Sequence, residues 1–108
     1  MEAGTNATPY ALTFVVFNEL YQSRVMDTLR ACGIDYYTRW NHVSGKGHGT
    51  EPHLGHGAYG STNAVLMIAF EEEAPLAQLI EQIGVFNADT PRTDDRVRLF
   101  QVPLMRIV

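Results

Sequence analysis

The sequence is short of several things, and each shortage excludes a class of protein. It has one cysteine, Cys32. No disulfide framework can close within the chain, and a lone thiol suits a reducing, cytoplasmic setting. No apolar run approaches the roughly 18 residues of a membrane-spanning helix. Residues 1–9 are small and polar, unlike a signal peptide. Bases are scarce: 8 Lys and Arg against 12 Asp and Glu give a formal net charge of −4. That balance argues against a nucleic-acid partner, which selects for a basic face. Glycine and histidine, by contrast, are concentrated. Six of the 9 glycines and all 4 histidines lie between positions 42 and 60.

The 108 residues suit one domain. A domain this small buries only about 65% of its unfolded surface, which favours association with copies of itself. Residues 1–9 read as a flexible terminus. Residues 10–17 (YALTFVVF) are aromatic and β-branched, and read as a strand. Asn18 is a candidate N-cap, with Glu19 placed for the helix dipole. Tyr21, Val25, Leu29 and Cys32 then recur at helical spacing, and Gly33 offers a stop, so a helix is predicted over 19–32.

Residues 34–42 (IDYYTRWNH) return to strand composition, and 43–60 form a Gly-rich loop. Residues 62–71 contain the unbroken apolar run 64–70, which predicts a strand buried on both faces. Pro75 suits a first helical position, and Leu76, Leu79, Ile80 and Ile83 mark a helix over 74–83 stopped near Gly84. Residues 88–96 read as a surface loop, and 97–108 as a last strand containing Pro103.

This order predicts an α+β, ferredoxin-like βαββαβ sandwich: a four-stranded antiparallel sheet with two helices on one face. The two most apolar strands, the first and third, take the centre, and Pro103 falls on an edge. The first strand is apolar on both sides, with Leu12, Phe14 and Val16 on one and Val15 and Phe17 on the other. Two helices cover one face only. The second face is therefore expected to be buried in a homo-oligomer, or beneath a loop or terminus folded over it.

Residues 43–60 are too long for a tight hairpin, and loops beyond about 12–15 residues are usually functional or disordered. Three readings stay open. Ser44-Gly45-Lys46-Gly47 offers unhindered N–H groups and a cation for a phosphate or other anion, although the spacing is not that of a Walker A motif. His48, His53 and His56 with Glu51 suit zinc, copper or nickel, although the spacing is not that of a zinc finger. The third reading is a solvated, partner-binding loop. Arg39 and Trp40, at the strand end leading into the loop, fit either sheet packing and a salt bridge or an intersubunit pocket in which Arg39 meets an anion. A small oligomeric enzyme using His48 or His56 as general base is a rival, but no nucleophile elbow or paired carboxylate supports it.

Tyr37-Thr38-Arg39-Trp40, then residues 45–50, then Gly55, Gly57 and Tyr59, then residues 63–70 together resemble the short PII-like proteins of the nitrogen regulatory protein PII superfamily. The element order is similar over residues 10–108, one domain. The resemblance implies a non-enzymatic signalling homotrimer whose T-loop, residues 43–60, changes shape with ligand and docks on a protein such as a membrane transporter. It implies nucleotides in the clefts between subunits at the loop's base, where it places Arg39, Trp40, Gly45, Lys46 and Gly47. Some short members look linked to heavy-metal efflux, and the related CutA-like trimers to divalent-metal tolerance. That branch implies metal at His48, Glu51, His53 and His56, so the cofactor stays open between a nucleotide and a divalent metal. The nitrogen-regulatory members carry TGxxGDGKIF before the last strand. Here residues 87–99 read NADTPRTDDRVRL, without those glycines or that lysine. Arg92, Arg96 and Arg98 are the cations present in their place.

Overall fold

Alternation of apolar residues along two central strands sets the architecture. The computed structural model describes residues 10–46 and 62–108. Strand β1 spans Ala11–Asn18, β2 Thr38–Val43, β3 Asn63–Phe70 and β4 Arg98–Pro103. The sheet is antiparallel in the order β2-β3-β1-β4, so the apolar strands are central. Helix α1 covers Gln22–Ala31 and α2 Glu73–Ala88. This is the ferredoxin-like α+β fold expected from the sequence.

The helix-covered face is the core. Ala11, Val15, Phe17, Ala64, Leu66, Ile68 and Phe70 are all fully buried, packed with Leu29, Ile34, Leu76 and Leu79. Thr13 shares that face and donates its hydroxyl to the Ile68 carbonyl at 3.1 Å, which satisfies the one polar group in the row. Cys32 also faces the core, and burial pushes its thiol pKa up.

Local chemistry accounts for the element ends. The Asn18 side chain accepts from the Leu20 N–H at 3.0 Å and caps a 3₁₀ turn, Glu19–Tyr21, that leads into α1. Gly33, at φ 75°, ends α1. Its N–H bonds the Arg30 carbonyl at 3.0 Å while the Ile34 N–H reaches Leu29 at 2.9 Å, a Schellman motif sealed by the buried Leu29 and Ile34.

Four expectations about element limits need correction, and a fifth, about burial, follows them. β2 starts at Thr38 rather than near 34, because Tyr36 leaves the sheet to meet the Phe70 ring edge-on, centroids 6.1 Å apart. The helix predicted to stop near Gly84 continues to Ala88. A helical glycine costs only about 1 kcal/mol, and the extra turn brings Phe86 against Tyr21 (5.4 Å) and beneath Arg24 (4.5 Å). Pro75 is the third helical residue rather than the first, a place where its missing N–H still costs nothing. β4 ends at Pro103, which cannot donate to a ladder.

The third strand is buried on one face only. Val65, Met67 and Ala69 are half-buried, because both helices lie on the other side. Register carries this open face across the sheet in rows: Trp40, Val65, Val16 and Arg98; then Thr38, Met67, Phe14 and Phe100; then Ala69, Leu12 and Val102. Phe100 is 54% exposed and Trp40 46%. Among the described residues, no helix is long and apolar enough to cross a membrane.

Candidate functional site

The site begins where three chain segments meet at one end of the sheet. β1 ends at Asn18, whose register partner is Asn63, the first residue of β3. β2 ends at Val43, also paired with Asn63, after a bulge between Trp40 and Val43. The bulge places His42 at φ 58°, a left-handed conformation that a side chain with a Cβ resists by about 1–2 kcal/mol. The chain then passes through residues 44–46 against β3. A Cβ on Gly45 would lie 2.8 Å from Asn63 Nδ2, so any larger residue here would push the Asn63 side chain aside.

The other wall comes from the connection between α2 and β4. Asn87 fixes it by a paired contact: its Nδ2 donates to the Val97 carbonyl, and its Oδ1 accepts from the Val97 N–H, both at 2.8 Å. Thr90 donates to the Phe86 carbonyl at 2.8 Å and closes the helix end. A 3₁₀ turn, Thr93–Asp95, follows. Arg92 pairs with Asp94 at 3.0 Å, while Arg96 Nε donates to the Thr90 carbonyl at 3.1 Å.

Between the two walls lies a cleft of about 340 Å³ lined by Val16, Phe17, Asn18, Val43, Ser44, Gly45, Lys46, Asn63, Val65, Thr93, Asp94, Arg96, Arg98 and Phe100. Its charged lining is Lys46, Arg96 and Arg98 against Asp94, and Asp94 is engaged by Arg92. Such a cleft favours an anion, and an arginine fork suits phosphate or carboxylate oxygens. Gly45 and Lys46, singled out in the sequence, line it. Arg39 and Trp40 do not. Arg39 pairs with Leu66 and so belongs to the helix side of the edge strand, whereas Trp40 pairs with Val65 on the open face. Gly47, His48, Glu51, His53 and His56 lie outside the described residues, as do the predicted flexible terminus 1–9 and most of the 43–60 loop. Among the described residues, no group of three or more His, Cys, Asp or Glu is placed to hold a metal ion.

Glu19 is a residue that sequence reasoning treated only as a helix-dipole partner. Its Oε1 accepts the His42 backbone N–H at 3.1 Å, lies 3.0 Å from His42 Nδ1, and also accepts the Thr62 hydroxyl. Its own N–H donates to the Thr62 carbonyl at 3.0 Å. Desolvation raises the pKa of this carboxyl. The Thr62 hydrogen bond, and then the charge and hydrogen bonds of His42, outweigh it and hold the group below the ordinary glutamate value.

A second, more open cavity of about 770 Å³ lies at the opposite end of the open face, lined by Tyr36, Tyr37, Thr38, Met67, Ala69, Glu71, Glu72 and Ile107. Burial and the neighbouring Glu72, Asp35 and Glu71 push the Tyr36 phenol pKa up.

No protein-family model and no curated protein matches the chain. Solved structures do. CPII, a nitrogen regulatory PII-like protein from Thiomonas intermedia K12 bound to ADP, AMP and bicarbonate, superposes with a TM-score of 0.67 at 19% identity, over 91% of this chain and 90% of that one. CPII bound to ADP, AMP and acetate gives 0.65 at 18% identity, over 92% and 91%. A protein from Thermus thermophilus described as a PII-like signaling protein gives 0.53 at 19% identity, over 92% and 91%. The chain has the fold of the PII-like proteins.

Proposed function

We propose that this chain is a PII-like signalling subunit that takes a nucleotide or another small anion in the cleft at the root of the 43–60 loop. The observation that carries the reading is the meeting of Lys46, Arg96 and Arg98 beside the glycine-backed strand end at Gly45. CPII, which shares the fold, binds ADP, AMP and bicarbonate. In this reading Arg98 and Lys46 hold phosphate or carboxylate oxygens, and the loop presents the bound state to a protein partner such as a membrane transporter. The role is regulation rather than turnover. The open apolar face is covered by two further copies in a homotrimer, which brings clefts to the subunit boundaries. Gly47 extends the anion-binding backbone, with Arg39 and Trp40 on the strand leading to it, and His48, Glu51, His53 and His56 form a divalent-metal set on the loop.

Calorimetric titration of the metal-free protein with ADP, AMP, bicarbonate and Zn²⁺ tests this. Saturable heat with ADP or bicarbonate, lost in the Lys46→Ala, Arg98→Ala double variant, is expected. No heat with any of the three anions would remove the reading. Heat with Zn²⁺ alone, lost when His48, His53 and His56 are all changed to Ala, would move the function to metal sensing.

A further inference from the structure

His42 holds a backbone conformation that its side chain disfavours, within a strand bulge immediately before Val43 of the cleft wall. Something must hold it there, and the contacts name Glu19. One carboxylate oxygen takes the His42 N–H, faces the His42 ring nitrogen and takes the Thr62 hydroxyl, while the Glu19 N–H reaches the Thr62 carbonyl. The two segments gripped here, at residues 42 and 62, are 20 positions apart in the chain. Gly45 and Asn63, which follow them closely, are pressed together at the cleft. The Glu19 side chain is only 19% exposed, whereas the His42 side chain is 82% exposed. The grip is therefore held from the protein side, and hydrogen bonds to a charged, poorly hydrated acceptor are the strong ones.

We propose that Glu19 is a positioning residue for the anion cleft: it holds His42 in the left-handed conformation and so sets the backbone of residues 44–46 against Asn63. It touches no ligand and acts through His42 and Thr62. The proposal rests on the reading of the cleft as an anion site.

The test combines amide hydrogen exchange by NMR with ADP titration, on wild type and on Glu19→Gln, Glu19→Ala and Thr62→Val. In Glu19→Ala the His42 and Gly45 amides should exchange about tenfold faster, and ADP affinity should fall by a similar factor. Amides of the covered sheet face, such as Val15, should keep their wild-type rates. Glu19→Gln keeps an acceptor oxygen and should fall between the two. Adding Thr62→Val to Glu19→Ala should change little further, because both act at one contact. Unchanged exchange at His42 and Gly45 in Glu19→Ala overturns the proposal, whether or not wild type binds ADP. So does faster exchange spread evenly over the whole sheet, which would mark a general loss of stability. Faster local exchange in a chain that binds no ADP, AMP or bicarbonate would leave Glu19 as the clamp of this strand end and overturn the anion reading instead.

Discussion

The two faces of the sheet are built from similar residues and have different fates. On one, Val15, Leu66, Ile68 and Phe70 are sealed beneath α1 and α2. On the other, Phe14, Val65 and Met67 stay half-buried, and Phe100 and Trp40 are open to water. A strand that faces solvent usually alternates apolar with polar residues, and β1 and β3 do not. The open face therefore has the apolar composition of a core without the helices that cover the other side. The difference separates the residues that hold the subunit together from those that the proposed homotrimer would bury.

Breaking the covered face should cost most. Phe70→Ala should destabilise the fold by about 3–5 kcal/mol, measured as a lower urea midpoint. A cost below that of an exposed substitution would mean that the core is misassigned. On the open face, Phe100→Asp should leave secondary structure in place and separate the proposed homotrimer into single chains, seen by sedimentation and by red-shifted emission from Trp40, the single tryptophan. A wild-type chain that sediments as a monomer at micromolar concentration would remove the contrast between the faces altogether.

Smaller effects sharpen the comparison at its edges. Arg98 ends the first open-face row and lines the cleft. Arg98→Ala should weaken ADP binding about tenfold, in line with the loss of one charge-assisted hydrogen bond, with the melting temperature nearly unchanged. Acid should loosen the sheet end first. Because the folded-state pKa of Glu19 is depressed, its contribution is fully present above its unfolded value near 4.5 and is lost as pH falls through the lower folded value. A stability profile below pH 5 should therefore fall less steeply in Glu19→Gln than in wild type. The smallest change is a gain. Gly84 lies inside α2 and a Cβ there would meet nothing, so Gly84→Ala should raise stability by about 0.5–1 kcal/mol. A loss would mean that the helix stops at the glycine after all.

What was legible in the sequence was local. Asn18 and Gly33 announced the limits of the first helical segment through their own chemistry, and the apolar strands announced the centre of the sheet. The continuation of α2 was not legible, because glycine is a weak stop and the contacts of Phe86 with Tyr21 and Arg24 belong to tertiary structure. The run at 64–70 announced burial without saying by what. In the cleft, Gly45 and Lys46 stood out by composition. Arg96 and Arg98 were visible only as cations in a polar stretch, because the register of β4 against β1 carries Arg98 there and the turn at Thr90 and Thr93 holds Arg96. Glu19 could not be read at all: its partners lie 23 and 43 residues away, and no spacing rule links them.

Lys46 is the only lysine in the chain, and it lies in the cleft wall. Any acylation of a lysine side chain is therefore directed to this one place. Acylation would cancel one of the positive charges of the cleft, and a bound anion would in turn shield the amine from the reagent. If the cleft takes an anion as proposed, the reactivity of this one lysine side chain should fall when the anion is bound.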